Sequence, residues 1–387
     1  MKDSLRIGFY TDTYLPNTDG VVFQILAMKS EMETRGNYVH VFAAGTLSEK
    51  NSNRDKSVDF YPAFRFPPYP QYKVAVFPYS SVLDVRRLKL DVVHCHALAT
   101  MGLAAVHSAK TLSLPLVGTF HTMVPLAMHY VTQNKSAQEV LSKAVWKGVK
   151  LFYLPFDAVT APSHTIAALL REHGVENVKV ISNGINLAKF NSRVDGRQAR
   201  RKLGLKPSEK LVAFVGRVTK EKNVDVVLKA AKIATTNSDA NFKLAIIGNG
   251  PALDECKLLA RKLALRNVIF TGAILHEEIP SYLAAADWQI TASTFETQGL
   301  GIIEGLACGK PCIGADSLAI PEALHDGKSG FLFEPFDVEN CAEQLTRGLN
   351  LSEKQYEKMS SFASSDAKKY SIEKTTSEIL KLYGKLL

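Results

Sequence analysis

The chain has 387 residues, of which 46% are hydrophobic and 22% charged, and its formal net charge is +9. This length exceeds what one hydrophobic core supports, so two domains are expected, and the composition excludes a disordered, collagenous or small disulfide-stapled protein. The positive charge favours anionic partners such as phosphates or acidic lipid, and five sparse cysteines favour a reducing compartment.

Short apolar, β-branched runs alternate with helical patterns along the whole chain. In the first half, strands are predicted at residues 6–11, 38–44, 91–95, 115–120, 157–161 and 178–181. In the second half, strands are predicted at residues 210–216, 242–248, 267–272, 287–292, 311–315 and 330–333. Helices are predicted there at residues 224–236, 251–264, 278–285, 299–308 and 338–349. This alternation indicates crossover units and parallel sheets, so the fold class is α/β with two doubly wound domains.

The predicted domain boundary lies near residue 185, where polar turn residues and a basic run precede a new strand. The domains are therefore predicted to be 1–185 and 186–387. After Leu349 the pattern is helical, and the final helix is expected to pack back across the domains. The first residues do not resemble a secretory signal, and no run of 18 apolar residues occurs. We therefore expect a cytoplasmic protein without a membrane span.

Two glutamates in the second half, Glu296 and Glu304, flank a predicted loop-to-helix transition. A helix that starts near Gln298 or Gly299 presents free backbone amides, which form an anion site. The amides in question belong to Thr297, Gln298, Gly299 and Leu300. Glu304, one or two turns into that helix, could accept hydrogen bonds from sugar hydroxyls. Solvated glutamates at a helix start are the alternative.

Two cations, Arg217 and Lys222, directly follow the first strand of the second domain. Ligands of open α/β sheets bind outside the carboxyl ends of the strands, and a paired Arg and Lys suit a diphosphate. A charged surface turn is the alternative. Gly248 and Gly250 follow another strand of this domain, in a pattern that often merely turns a strand into a helix.

In the first domain, Gly20 precedes a helical pattern and could bring backbone amides to a phosphate, although a plain loop is the alternative. His94, His96 and His121 lie at the ends of two strands. No accompanying carboxylates or thiolates are apparent, so substrate contacts or ordinary strand-end histidines are favoured over a metal site. The spacing of Cys308 and Cys312 favours packing over redox chemistry.

Taken together, the second-domain motifs resemble those of family-four retaining glycosyltransferases with the GT-B fold. The motifs are Gly216-Arg217 followed by Lys222, Gly248-x-Gly250-Pro251, and Glu296 seven residues before Glu304. In the first domain, residues 11–21, 66–73, 91–96 and 119–122 resemble the glycolipid-forming members, which include diacylglycerol glucosyltransferases. The resemblance implies two Rossmann-like domains that face each other across a cleft, which closes to exclude water.

The resemblance also implies residue roles. Arg217 and Lys222 are expected to hold the donor diphosphate, Glu304 the nucleotide ribose, and Glu296 the transferred sugar. His121 is expected to contact sugar and acceptor, and Gly20 to line the pyrophosphate. Many relatives have paired glycines at this last position, whereas here Asp19 precedes Gly20. Arg, Lys and helix N-termini neutralise the leaving group in this family, so no metal and no cofactor beyond the nucleotide sugar are expected.

The acceptor side is predicted from an apolar stretch directly after His121, with Met123, Met128 and Tyr130 as acceptor contacts. A following helix places Lys143, Lys147 and Lys150 on one face, with Trp146 beside them. These four residues are predicted to meet an anionic membrane surface peripherally, on the inner face of the cell membrane. An ordinary amphipathic helix is the alternative.

The predicted function is therefore retaining transfer of a hexose from a nucleotide-diphosphate sugar to a lipid acceptor. Transfer to a soluble sugar, polyol or glycan is one alternative, and a non-catalytic nucleotide-sugar-binding protein is another. A nicotinamide-dependent dehydrogenase is disfavoured because the first strand lacks Gly-x-Gly-x-x-Gly. Nucleic acid is not an expected partner, and the base, the hexose and the oligomeric state stay open.

Overall fold

The computed structural model describes residues 4–17, 19–65, 73–125, 132, 134–238 and 241–387. The strands, in chain order, are β1 Arg6–Thr11, β2 Tyr38–Gly45, β3 Val58–Arg65, β4 Lys73–Ala75, β5 Val92–Cys95, β6 Leu116–Thr119, β7 Ala158–Ala161, β8 Val178–Val180, β9 Lys210–Val215, β10 Phe242–Ile247, β11 Val268–Gly272, β12 Trp288–Thr291, β13 Cys312–Ala315 and β14 Gly330–Phe333. The helices are α1 Gly20–Thr34, α2 Leu47–Ser52, α3 Ser81–Arg87, α4 Thr100–Leu112, α5 Lys135–Tyr153, α6 His164–Glu172, α7 Arg197–Lys202, α8 Val224–Asn237, α9 Leu253–Lys262, α10 Ile279–Ala285, α11 Leu300–Ala307, α12 Ile320–Ala323, α13 Val338–Leu349, α14 Glu353–Asp366 and α15 Ile372–Leu386.

The chain divides into two compact units. Unit 1 comprises Met1–Gly184 together with Ile372–Leu387, and unit 2 comprises Ile185–Ser371. The sequence-based division is wrong for the last helix, because it assigned these residues to the second domain. Among the described helices, none has an apolar stretch long enough to cross a bilayer.

Unit 1 contains an eight-stranded sheet in the order β4-β3-β2-β1-β5-β6-β7-β8. All neighbouring strands pair in parallel except β3 and β4, which pair antiparallel. The central strand β1 is apolar and almost fully buried, as expected for a strand covered on both faces. The carboxyl ends of β1, β5 and β6 therefore lie side by side, and this edge carries the histidines described below.

The final helix, α15, completes the core of unit 1. Its residues Ile372, Ile379, Leu382 and Tyr383 are buried in one cluster with residues of β1, α1 and β2. Helix α1 also contacts it through Arg35, which donates hydrogen bonds to Ser377 Oγ and to the Glu373 carbonyl. The amphipathic spacing of the apolar residues explains this packing, because α15 buries one stripe and leaves the other exposed.

Unit 2 contains a six-stranded parallel sheet in the order β11-β10-β9-β12-β13-β14. Its core is built around Trp288, which is fully buried and stacks on Phe331 with ring centroids 5.7 Å apart. Helix α13 covers this core and begins with a side-chain cap, since Asp337 accepts a hydrogen bond from the Asn340 amide.

The predicted alternation of strands and helices is present in both units. The predicted strands of both halves are found at nearly their expected positions, with differences of at most a residue at each end. The sequence pattern did not reveal β3 and β4. Pro62 interrupts β3, and β4 is only three residues long, so neither gives a clear strand signal.

Candidate active site

The predicted donor residues of unit 2 follow β9, β10 and β12 at the carboxyl edge of the sheet. The β9 and β10 loops approach each other so closely that a side chain does not fit between them. A Cβ on Gly248 would lie 1.8 Å from the Gly216 carbonyl oxygen, and one on Gly250 would lie 2.3 Å from that of Val218. Gly248 and Gly250 thus have a packing role, and their contact with the donor stays a prediction.

Lys222 and Glu296 form an ion pair at this edge. The Lys222 Nζ lies 2.5 Å from Glu296 Oε1, and the two side chains are 19% and 21% exposed. Burial opposes ionisation of Glu296, but the Lys222 charge and hydrogen bonds from Lys222 and Ser293 outweigh it, so the pKa of this carboxyl is lowered. The structure therefore brings together two predicted site residues that are 74 positions apart in the chain.

Asn223 holds the two loops of this ion pair in place. Its side-chain amide donates to the Ala292 carbonyl at 2.9 Å and to Thr294 Oγ1 at 3.3 Å. In return, the Thr294 amide donates to the Glu221 carbonyl at 3.1 Å. Asn223 has a left-handed backbone with φ of 47°, which is tolerated by Asn better than by most residues. Lys222 is consequently fixed on a braced loop, and Arg217 lies half-buried in the same loop.

Helix α11 starts beside the end of β9. Gly299 caps it with φ of 81°, a conformation that glycine adopts without strain, and Leu300 is its first residue. Thr297 and Gln298 precede the helix in the loop, and Gln298 is buried. A Cβ on Gly301 would lie 3.6 Å from the Val215 carbonyl oxygen. The helix N-terminus therefore lies at the same edge as Lys222.

Glu304 is one turn into α11 and is partly buried. Within the described part of the chain, its carboxyl accepts no hydrogen bond. Burial raises its pKa to about 8. A half-buried carboxyl without a donor is suited to accept hydrogen bonds from ligand hydroxyls, as the ribose role requires.

In unit 1, a small pocket opens at the carboxyl edge of the sheet. It is lined by Asp12, Thr13, Val21, His96, Ala97, Leu98, Thr119, His121 and Thr122. His96 and His121 are hydrogen-bonded, with 2.9 Å between His96 Nδ1 and His121 Nε2. Burial lowers the pKa of His121 to about 4 and that of His96 well below its usual range, so both are neutral at pH 7.

Asp12 supports this pocket, although the sequence analysis did not single it out. It is buried after β1 and accepts hydrogen bonds from the amides of Leu98, Ala99 and Met101, at 2.9–3.2 Å. Burial raises its pKa to about 6 against the effect of these bonds. Its position at the carboxyl end of the central strand was the available signal.

Gly20 is the first residue of α1, but the two backbone amides that follow it already donate hydrogen bonds to Asp19. Asp19 Oδ1 accepts hydrogen bonds from Val21 and Val22 at 3.0 Å, and Asp19 Oδ2 accepts one from Thr13 Oγ1 at 2.8 Å. The departure from paired glycines thus has a structural effect, because a carboxylate caps the helix where a phosphate was expected.

Two acceptor and membrane predictions are wrong in this structure. Trp146 is only 7% exposed and stacks on His173 with ring centroids 3.9 Å apart, so it belongs to the core of unit 1 and not to a membrane contact. Met123 is fully buried and offers no surface to an acceptor. Met128 and Tyr130 lie outside the described residues.

The other predictions for helix α5 concern its lysines. Lys143, Lys147 and Lys150 are exposed on the helix, together with Leu151.

All five cysteines are buried and unpaired, in agreement with a packing role. In the described ranges, no group of three or more His, Cys, Asp or Glu side chains is arranged to hold a metal ion.

Comparison with known proteins gives matches over both units. Residues 18–189 match the model of "Glycosyltransferase Family 4", and residues 195–366 match that of "Glycosyl transferases group 1". Alpha-monoglucosyldiacylglycerol synthase of Streptococcus pneumoniae is 33% identical over 85% of this chain and 75% of its own length. The enzyme of the same name from Acholeplasma laidlawii is 30% identical over 89% of this chain and 87% of its own length.

Solved structures give the same fold. Anabaena Alr3699/HepE, determined in complex with UDP and glucose, has a TM-score of 0.79 at 18% identity over 99% of this chain and 100% of its own. Sucrose-phosphate synthase from Thermosynechococcus elongatus has a TM-score of 0.76 at 18% identity, with 99% of each chain covered. The predicted fold class of two Rossmann-like α/β domains is confirmed by these comparisons.

Proposed function

Because the chain belongs to glycosyltransferase family 4, as its motifs predicted, we propose that it transfers a hexose from a nucleotide-diphosphate sugar to a lipid acceptor with retention of configuration. The observation that carries this proposal is the carboxyl edge of unit 2. There Lys222, Glu296 and the N-terminus of α11 lie together, with Glu304 one turn further along the helix.

In the proposed mechanism, unit 2 binds the donor. Arg217 and Lys222 neutralise the charge that develops on the diphosphate when the bond to the sugar breaks. Lys222 forms an ion pair with Glu296, which keeps that carboxylate ionised and able to accept hydrogen bonds from the sugar. Glu304 accepts hydrogen bonds from the ribose. Arg217 contributes a planar fork that matches two phosphate oxygens at once.

Unit 1 supplies the acceptor contacts in this proposal. Its pocket has the polar groups of Thr13, His121 and Thr122, which suit a hydroxyl, and His121 contacts the reacting sugar and acceptor. The lipid acceptor is proposed because the two relatives described above are named as monoglucosyldiacylglycerol synthases. Sulfoquinovosyl transferase SQD2 of Arabidopsis thaliana, 28% identical over 68% of this chain, supports a glycolipid-forming role.

We propose that the protein reaches this acceptor by peripheral attachment. The exposed lysines of α5 attract an anionic leaflet, at about 1 kcal/mol for each cation near the surface. Such attachment is weak and salt-sensitive without apolar contacts, and Leu151, which is 60% exposed, provides one on the same helix. Trp146 has no part in it.

The experiment that tests the function compares donors and acceptors directly. Purified protein is incubated with radiolabelled UDP-glucose or GDP-mannose, together with either dioleoylglycerol in mixed micelles or a panel of water-soluble sugars and polyols. We expect label to appear in a glycolipid with one donor, and the anomeric configuration of the product to match that of the donor. Arg217→Ala protein serves as the low-activity control.

Two results would contradict the proposal. Transfer to a water-soluble acceptor, with none to lipid, would replace the lipid acceptor and leave the glycosyltransferase assignment in place. Binding of the donor without transfer to any acceptor or to water would indicate a protein that recognises nucleotide sugars without turnover.

A further inference from the structure

Two buried histidines beside the pocket of unit 1 have hydrogen-bond partners that determine where their protons lie. His94 is fully buried and lies within β5, and His96 is 6% exposed and follows the strand. Their rings are in contact, with centroids 4.2 Å apart and planes inclined by 32°. Burial lowers the pKa of His94 to about 3, so this imidazole, like those of His96 and His121, is neutral and carries one proton on one nitrogen.

The proton of His94 is fixed by a chain of hydroxyls. At the end of the chain, Thr160 Oγ1 donates to the Gly118 carbonyl, which can only accept. Thr160 must then accept from Thr119 Oγ1, 2.7 Å away, and Thr119 must accept from His94 Nε2, also at 2.7 Å. His94 Nδ1 is therefore unprotonated and accepts from the Tyr383 hydroxyl of α15 at 2.5 Å. His94 is the Nε2–H tautomer.

The proton position of His96 follows from the partners of its two ring nitrogens. Its Nδ1 is hydrogen-bonded to His121 Nε2, whereas its Nε2 is buried and has no hydrogen-bond partner in the described part of the chain. If Nε2 carried the proton, the structure would contain a buried N–H without an acceptor. A buried N–H without a partner is rarer in proteins than an acceptor with a spare lone pair. The proton of His96 therefore belongs on Nδ1.

We propose that His96 is a positioning residue whose Nδ1–H donates to His121 Nε2 and thereby keeps the proton of His121 on Nδ1. A neutral imidazole whose Nε2 accepts must carry its proton on the other nitrogen. His121 then presents Nδ1–H as a donor. Fixing the tautomer of a functional histidine through its second nitrogen is an established way to orient such residues.

The role of this donor rests on the proposed function, in which His121 contacts an oxygen of the sugar or the acceptor. A fixed N–H donor selects an oxygen that can accept a hydrogen bond, such as a sugar or glycerol hydroxyl. It also means that His121 in this tautomer cannot act as an acceptor through Nδ1. His94 and His96, two residues apart, thus have opposite tautomers, and the hydrogen bond to His121 Nε2 comes from His96.

The tautomers can be measured without any activity assay. In protein with ¹⁵N-labelled histidine, long-range ¹H–¹⁵N correlation spectra distinguish protonated Nδ1 from protonated Nε2 in each of the ten histidines. Spectra of single-histidine variants assign the signals of His94, His96 and His121. We expect Nδ1–H for His96 and His121 and Nε2–H for His94. Nε2–H at His121 in the wild-type protein would overturn the proposal, whatever the variants do.

Two substitutions then test the coupling. His96→Phe keeps a ring in the stack but removes the donor, and we expect His121 to lose its Nδ1–H preference and kcat to fall by about tenfold or more. His96→Asn keeps an N–H near the position of Nδ1, so it should restore both. An unchanged His121 tautomer and kcat in His96→Phe protein would contradict the coupling. Tyr383→Phe is the matched control, because it removes a hydrogen bond from His94 and should leave the His121 tautomer unchanged.

The lipid acceptor and the role of His96 are tested separately by these experiments. Wild-type protein that shows the expected tautomers but transfers sugar to no lipid would refute the proposed acceptor and retain the role of His96. Protein that makes glycolipid but shows Nε2–H at His121 would refute the role of His96 alone.

Discussion

At the scale of single residues, the fold changes the pKa of Glu304. Its pKa is raised from 4.5 to about 8 by burial, so the folded protein binds a proton here at pH values where the unfolded chain has released it. The free energy of unfolding must therefore fall as the pH rises through this range. The ligand-free protein keeps this destabilising group at the site where a ribose is expected.

We predict that Glu304→Gln stabilises the ligand-free protein increasingly between pH 5 and pH 9. The neutral amide avoids burial of a charge, and the shift of the Glu304 pKa from 4.5 to about 8 gives the gain at pH 9 a ceiling of about 5 kcal/mol. Urea unfolding in a Trp146→Phe background, followed by fluorescence of Trp288, which lies in the same unit as Glu304, measures the effect. Glu357→Gln, at an exposed site, is the control. A gain that does not change with pH would show that Glu304 is already ionised.

We predict that Arg217→Ala weakens UDP binding by about 1.5–3 kcal/mol, because it removes a charge-assisted contact to the diphosphate. The stability of the fold should be little changed. Lys220→Ala is the matched control, since Lys220 is an exposed cation three residues further along the same loop. Isothermal titration with UDP compares the variants. Equal affinity in wild-type and Arg217→Ala protein would remove Arg217 from the donor site.

At the scale of secondary-structure elements, helix α5 shows what helical spacing in the sequence can predict about exposure. The period correctly separated Lys143, Lys147 and Lys150 from the apolar side, and all three are exposed. It could not decide whether Trp146 faces lipid or protein, because both environments favour the same residue types. The stacking partner of Trp146 is His173, which comes from a distant part of the chain.

We predict that replacing these three lysines of α5 by Gln reduces binding to phosphatidylglycerol-containing vesicles. Each cation contributes about 1 kcal/mol at an anionic surface, and added salt should weaken the wild-type binding as well. Flotation with anionic and with neutral vesicles gives the comparison. The matched control replaces Lys232, Lys354 and Lys358, which are exposed lysines of unit 2. Equal loss in both triple variants would point to net charge and not to α5.

Helix α15 gives a second prediction at this scale. Ile379→Ala should destabilise unit 1 by about 2–5 kcal/mol, because Ile379 is 2% exposed in the core shared with β1 and α1. Trp146 reports unfolding of unit 1 in a Trp288→Phe background, since the chain has two tryptophans and each unit contains one. In a Trp146→Phe background, which leaves Trp288 as the reporter, Leu345→Ala in α13 is the reciprocal control and should move the Trp288 signal of unit 2, whereas Ile379→Ala should not. If Ile379→Ala moved the Trp288 transition instead, α15 would belong to unit 2.

At the scale of the whole molecule, we predict that activity does not require a divalent cation. In the proposed donor site, Arg217 and Lys222 supply the positive charge that a metal supplies to the leaving diphosphate in other enzymes. Turnover should be the same after dialysis against EDTA as before, with added Mg²⁺ or Mn²⁺ having no effect. Loss of turnover in EDTA that either ion restores would contradict this prediction.

The sequence was sufficient for the features that depend on periodicity and strand ends. Lys222 and Glu296 were predicted to share a site because each follows a strand of one parallel sheet, and they form an ion pair. Features that depend on tertiary contacts were not predictable. Asp19 could have been a loop residue or a helix cap, and Met123 could have lined an acceptor site or the core. The proton position of His94 depends on Thr160 and Tyr383, which are remote in sequence.

The divided course of unit 1 bears on how the protein is made. The unit is interrupted after Gly184 and resumes at Ile372, so its last helix leaves the ribosome long after its sheet. At about 5–20 residues per second, the intervening segment delays that helix by roughly 10–40 s. During this time unit 2, which is continuous in sequence, can fold to completion, whereas the sheet of unit 1 must wait with Ile7, Phe9 and their neighbours incompletely covered. The first domain to be synthesised is therefore the last to be finished.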